Sequence, residues 1–187
     1  MPFTQTAFPD LLIFDPVVFG DERGYFFESY NESVFSQKGG ISIRFIQDNQ
    51  ARSVYGVVRG LHFQNKPYAQ TKLIRVLQGT ILDVVVDLRT GSPAYGEVFS
   101  IELSAENKKQ LLVPQGFAHG YSVLSETAEV FYKCDNFYNK EAEGGMAYHD
   151  PALKIDWKIP AGKMILSAKD LLYPVFAECH HNFVFES

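Results

Sequence analysis

The chain has 187 residues, 46% hydrophobic and 21% charged, with a net charge of −5. That balance is typical of a folded globular chain. The acidic excess argues against broad nucleic-acid or membrane-surface binding, so an anionic ligand would need a local cluster of cations. No apolar run reaches the ~18 residues that span a bilayer. The N-terminus lacks the basic region and apolar stretch of a secretory signal. Cys134 and Cys179 form neither a disulfide framework nor a zinc spacing and read as small buried apolar residues. The expectation is a protein of the reducing cytoplasm.

In chain order, the first predicted strand covers 12–19. Asn31 then caps a short helix running to about Gln37, which Gly39-Gly40 ends. Strands follow over 43–52, 56–64 and 71–78, with Gly79 as a turn. The clearest strand is Thr80–Arg89. Leu82, Val84, Val86 and Leu88 share one of its faces, and Asp83, Val85 and Asp87 the other. Gly91-Ser92-Pro93 turns into a strand over 97–103, and Ser104–Asn107 turns toward 110–114, 119–125 and 128–134. From about 139 to 187 the pattern is less regular. Asp150-Pro151 and Ile159-Pro160-Ala161-Gly162 read as turns, and Ser167–Leu172 as a short helix. No repeat or flexible linker divides the chain, so one domain over 1–187 is expected. Strands this dense point to an all-β antiparallel sandwich or jelly roll with a few short peripheral helices.

Three runs carry chemistry. In Gly56–Gln64 an arginine, Arg59, and an imidazole, His62, interrupt an apolar strand. An arginine there is costly to bury without an anionic partner, and a histidine can exchange a proton near neutral pH. Gln70–Arg75 supplies Lys72, and Val113–Gly120 supplies His119. Taken one at a time these residues have ordinary explanations: His119 as a hydrogen-bonded structural histidine, Lys72 as a solvated strand residue, Tyr132 and Phe26 as core aromatics, and Asp170 as a turn cap.

The Pro114…Gly116…His119 spacing resembles the second cupin motif. The matching first motif reads His62-Phe63-Gln64 and lacks the second histidine of metal-binding cupins, so no metal or other cofactor is expected. The longer pattern is more specific. Asp21–Glu28, Ile46–Gln50, Arg59–Gln64, Lys72–Arg75, Gly116–Gly120, Phe131–Cys134 and Ser167–Asp170 occur in order over roughly residues 10–175. Together they resemble the dTDP-4-dehydrorhamnose 3,5-epimerase family of the cupin superfamily. The resemblance implies a cupin-type jelly roll and an isomerase. Its substrate would be a dTDP-4-keto-6-deoxyhexose, inverted at C3 and C5 to give dTDP-4-dehydro-L-rhamnose.

It also implies roles. His62 would be the base and Asp170 its partner, Tyr132 the opposing acid, and Lys72 the cation beside the C4 carbonyl. Arg23 and Arg59 would hold the diphosphate with help from Lys169. Gln47 and Asn49 would read the thymine edge, Phe26 would stack on the base, and Glu28 would support the nucleotide contacts. His119 belongs to the same pocket. Tyr138 resembles a tyrosine of the double epimerases. The Arg23–Glu28 segment would complete the neighbouring subunit's pocket, implying a homodimer. If these roles hold, Arg59 and His62 face one pocket although three positions apart, which requires a kink or bulge near Gly60. A 3-epimerase of another deoxysugar pathway and a non-catalytic nucleotide-sugar-binding cupin are the alternative readings.

Overall fold

The computed structural model describes residues 2–186. Its strands are β1 (Phe3–Gln5), β2 (Leu12–Phe14), β3 (Phe19–Asp21), β4 (Gly24–Phe26), β5 (Gln47–Val54), β6 (Val58–Gln64) and β7 (Lys72–Gln78). They continue as β8 (Thr80–Asp87), β9 (Val98–Ser104), β10 (Gln110–Val113), β11 (Phe117–Val123), β12 (Thr127–Cys134) and β13 (Glu143–Gly145). One sheet runs β1-β2-β10-β7-β12-β5 and the other β13-β6-β11-β8-β9, while β3 and β4 form a separate hairpin. The ladders between these strands are antiparallel. The fold is an all-β jelly roll of the cupin type.

Alternation along each strand decides which layer it feeds. Ile74, Val76, Leu111 and Val130 of the larger sheet pack against Ile81, Val85, Leu103 and Phe117 of the smaller one. Strand β8 is buried on both faces because both are covered. Its outward-facing Leu82, Val84 and Val86 meet Met146, Leu153, Trp157 and Phe183 of the C-terminal segment. The helix α1 (Glu32–Gly39) covers the larger sheet's outer face, where Phe35 packs against Leu12, Phe14, Leu73 and Leu112. Asn31 Oδ1 accepts from Ser33 N and Val34 N at 3.0 and 3.3 Å, and Gly40 at φ 67° ends the helix. A cap of this kind contributes about 1 kcal/mol.

Several boundaries differ from the sequence reading. The strand expected over 12–19 stops at Phe14; Asp15 N makes a last bond to Pro2 O at 2.7 Å, and Pro16 has no N–H to offer a ladder. The chain resumes as the β3–β4 hairpin, whose Phe19 and Phe26 are 63% and 67% exposed. Strand β5 starts at Gln47 instead of 43, and Ser167–Leu172 folds only as a 3-10 turn over Asp170–Leu172. Strands β1, β4 and β13 were not anticipated. In β13 the sequence Glu-Gly-Gly has no strand preference, yet it pairs with β6, and the Phe63 ring occupies the space beside Gly144. A Cβ on Gly144 would stand 2.5 Å from that ring.

The expected irregularity at Gly60 is present. Arg59 pairs with Tyr121 and His62 with His119, so Gly60 and Leu61 together oppose Gly120. Gly60 adopts φ 125°, and a Cβ there would lie 2.5 Å from Gly120 Cα. Gly60→Ala is therefore expected to lower stability by at least about 2 kcal/mol. The check is the urea midpoint; a shift within error of zero would contradict the bulge geometry.

Candidate active site

The bulge turns both Arg59 and His62 toward the space between the sheets, where a cavity of about 480 Å³ opens. On the neighbouring strand, β11 contributes His119 and Tyr121. Lys72 on β7 and Tyr132 on β12 come from the opposite sheet. Ser167, Lys169 and Asp170 close the mouth. That last segment is held by a bridge at Ile165, whose backbone bonds Gly56 O at 2.8 Å and Val58 N at 2.9 Å. A smaller lobe of about 160 Å³ shares His62, Lys72 and Tyr132 and adds Gln47, Asn49, Tyr138 and Glu143.

His62 Nε2 and Asp170 Oδ1 are 2.5 Å apart. The Asp170 side chain is 4% exposed, and its backbone N donates to Ser167 Oγ at 3.1 Å. Burial alone would raise the carboxyl pKa, but the hydrogen bond and charge interaction with His62 outweigh it and hold the pKa below its ordinary value. An ionised Asp170 fixes the tautomer with the proton on Nε2, which leaves Nδ1 as the basic nitrogen. The Tyr173 ring stands edge-on to the imidazole, 5.6 Å between centroids.

Burial lowers the pKa of the Lys72 ammonium, an effect partly offset by Cys134, Asp83 and Glu143. Burial also pushes the Tyr132 phenol up to about 12, so at neutral pH it carries its proton. The Cys134 thiol is pushed up to about 11 by burial and stays neutral, with Asn49 Nδ2 3.6 Å from its sulfur. His119 Nε2 sits 2.9 and 3.1 Å from the two oxygens of the fully buried Asp83. The cavity is therefore lined by a carboxylate-bound imidazole, a cation of lowered pKa and a protonated phenol. Such a set can remove a proton, steady the negative oxygen that results and return a proton.

Other sequence-predicted residues are placed as follows. Arg59 lines the larger lobe, with Nε donating to Ser53 Oγ at 3.1 Å, and Lys169 lines it too. Gln47 and Asn49 line the smaller lobe and are bonded to one another at 3.1 Å. Gln47 Oε1 also accepts from Tyr138 N at 3.1 Å. Arg23 and Phe26 line a separate hollow on the β3–β4 hairpin, where Arg23 pairs with Asp21. Glu28 accepts from Asn31 Nδ2 at 3.1 Å beside the helix start. None of these last three lines the cavity of its own chain. Among the described residues, no three His, Cys, Asp or Glu side chains cluster as metal ligands would.

Sequence reasoning missed Asp83, Tyr121 and Glu143. Asp83 had left a signal, because it shares the face opposite Leu82 and Val84 in a strand too apolar to lie at the surface. Tyr121 and Glu143 left none.

A cupin-type jelly roll with an acid–base set of this kind around one cavity suits an enzyme that moves protons on its substrate, as an isomerase does. The comparisons with known proteins narrow the class. Residues 5–178 match the family model described as dTDP-4-dehydrorhamnose 3,5-epimerase. A protein of that name from Shigella flexneri is 50% identical over 171 residues, covering 91% of this chain and 93% of its own. A crystal structure of dTDP-4-dehydrorhamnose 3,5-epimerase from Elizabethkingia anophelis superimposes with a TM-score of 0.91 at 53% identity, over 94% and 96% of the two chains. A dTDP-6-deoxy-D-glucose-3,5-epimerase from Legionella pneumophila, solved in complex with dTDP-4-keto-L-rhamnose, gives 0.90 at 43% identity over 94% and 93%. The chain belongs to the dTDP-4-dehydrorhamnose 3,5-epimerase family.

Tyr121 offers a test of the cavity wall. Its phenol is buried, and its Oη has no hydrogen-bond partner among the described residues. The Ser53 hydroxyl accepts from Arg59 Nε at 3.1 Å. Removing an unpaired buried hydroxyl leaves no partner stranded. Tyr121→Phe is thus expected to melt at the same or a higher temperature than the parent. A fall of several degrees would show that the phenol is partnered.

Proposed function

We infer that this protein is a dTDP-4-dehydrorhamnose 3,5-epimerase. It converts dTDP-4-dehydro-6-deoxy-D-glucose to dTDP-4-dehydro-L-rhamnose by inverting the carbons on either side of the C4 ketone. The observation that carries this reading is the His62–Asp170 pair facing Lys72 and Tyr132 in one cavity of a chain of this family. The ketone acidifies both neighbouring C–H bonds, so the chemistry is proton transfer and no hydride moves. His62 Nδ1 takes the proton, and Asp170 stabilises the imidazolium that forms. Lys72 steadies the enolate oxygen, a contribution typically worth ~10²–10³ in rate. Tyr132 returns a proton from the opposite face.

Arg59, with Lys169, holds the diphosphate, for which a guanidinium fork is suited. Gln47 and Asn49 serve the nucleotide, and His119 and Tyr138 line the sugar's surroundings. Arg23, Phe26 and Glu28 lie outside their own cavity, and their exposed apolar hairpin suits the second pocket of a homodimer. We place this single-domain enzyme in the cytoplasm; among the described residues no helix is long and apolar enough to cross a membrane.

Incubation with dTDP-4-dehydro-6-deoxy-D-glucose in heavy water, followed by NMR, is expected to show deuterium at both C3 and C5. Uptake at C3 alone would make the protein a 3-epimerase, and binding without uptake would make it a non-catalytic sugar-nucleotide carrier. His62→Ala is expected to abolish exchange while dTDP affinity stays within about twofold, a loss of at least ~10²–10⁴ for a general base.

The pH dependence tests Lys72. Its charge is required and its pKa is lowered, so the rate should fall as pH rises through a value below that of ordinary lysine. That fall precedes ionisation of Tyr132 at about 12. Lys72→Arg stays charged throughout. It is expected to be roughly 10²-fold slower at neutral pH, because the guanidinium cannot occupy the same point, and to lose the alkaline limb. A limb unchanged in kcat/KM profiles of this variant would remove Lys72 from the enolate role.

A further inference from the structure

Glu143 joins three segments that each carry a candidate catalytic group. It lies on β13, paired with β6 so that Gly145 stands opposite His62 and Glu143 opposite Gln64. Its Oε2 accepts from the Tyr138 phenol at 3.1 Å, and Tyr138 follows the strand of Tyr132. Its Oε1 is paired with the ammonium of Lys169, the residue before Asp170.

The bond to Glu143 is not needed to fold the Tyr138 loop. The Tyr138 loop is already anchored through its backbone. Tyr138 N donates to Gln47 Oε1 at 3.1 Å, and Asn139 N to Gln64 Oε1 at 2.6 Å. Gln64 Nε2 donates to Phe137 O at 3.2 Å. What Glu143 adds is the position of two side-chain ends, the phenol of Tyr138 and the ammonium of Lys169. Both of those side chains are at least half exposed, whereas the Glu143 side chain is 18% exposed and lines the smaller lobe with His62, Lys72 and Tyr132. Lys169 lines the larger lobe, beside Arg59.

We propose that Glu143 is a positioning residue that fixes the Tyr138 phenol at the cavity mouth and holds Lys169 until the diphosphate of an incoming sugar nucleotide takes the lysine over. The proposal rests on the sugar-nucleotide reading above. A half-exposed ion pair is weak, and a diphosphate offers more charge and more acceptor oxygens than one carboxylate, so the exchange of partners is favourable. After the exchange Glu143 keeps its bond to Tyr138. Its charge is then left to act on Lys72, which the reaction needs in cationic form, and on the imidazolium that forms at His62 once the proton is taken.

The test is a double-mutant cycle read by calorimetric titration with dTDP, with turnover measured in parallel. Glu143→Gln removes the competing charge and is expected to tighten dTDP binding about two- to fivefold. In a Lys169→Met background, itself weaker in dTDP binding, the same change is expected to have no effect. Glu143→Ala and Tyr138→Phe are each expected to lower kcat about tenfold, with no further loss when combined. Unchanged or weaker dTDP binding by Glu143→Gln, or equal tightening with Lys169→Met, would overturn the exchange. Additive losses in kcat would overturn the positioning of Tyr138. A parent protein that binds no dTDP would refute the sugar-nucleotide reading itself, and the exchange with it. A parent that binds dTDP while Glu143→Gln changes nothing would refute only the exchange.

Discussion

The 2.5 Å contact between His62 and Asp170 joins positions 108 residues apart, and the rest of the site is arranged around it. His62 is on a central strand. Asp170 lies on a C-terminal segment with little regular structure, whose ordering costs about 1–2 kcal/mol per residue in backbone entropy alone. One hydrogen bond cannot meet that cost. The segment is ordered by apolar burial elsewhere: Met146, Leu153, Trp157 and Phe183 cover the outward face of β8, and the bridge at Ile165 then leads the chain over the cavity mouth. The carboxylate is delivered to the imidazole by packing on the far side of the sheet.

The interior of the sandwich is mixed. Ile74, Val85, Leu111 and Phe117 fill part of the gap between sheets. Beside them the gap holds charge, and the carboxylates have partners: Asp170 with His62, Asp83 with His119, and Glu143 with Lys169. Buried charges that are paired and hydrogen-bonded can be tolerated where single ones cannot. The arrangement also explains how a chain of net charge −5 can receive an anion. Arg59, Lys72 and Lys169 converge on one cavity, so an anion meets cations there although the chain as a whole is acidic.

What the sequence revealed follows from the range of each interaction. The core strands were legible because Val, Ile and Leu alternate along them, and α1 because Asn31 and Gly40 are local punctuation. The odd spacing of Arg59 and His62 predicted a bulge, given a shared pocket. Strand β13 was not legible, because Glu-Gly-Gly becomes a strand only by lying against β6 and the Phe63 ring. The break after Phe14 was missed although Pro16 marks it, since apolar residues continue through Val17, Val18 and Phe19. Among the site residues, the His62–Asp170 pairing came from family resemblance, as no periodicity links positions so far apart. Asp83 could have been read from its face of β8. Glu143 could not, because its significance depends on Tyr138 and Lys169 arriving from two other segments.

The fold also bears on why a sandwich suits the proposed chemistry. Inverting a carbon requires that the proton leave one face of the sugar ring and return to the other. His62 belongs to the five-stranded sheet and Tyr132 to the six-stranded sheet. The two side chains approach the cavity from opposite walls. Lys72 belongs to the same wall as Tyr132, on the adjacent strand, in a register that pairs it with Cys134, two residues further along β12. From there its ammonium can reach the carbonyl oxygen at the ring's edge while the phenol addresses a ring face. The bulge at Gly60 adds Arg59 to the wall of His62, so the guanidinium proposed for the phosphate end and the proposed base share one strand. The placement of His62 and Tyr132 on opposite walls, which the proposed acid and base roles require, therefore follows from the strand order.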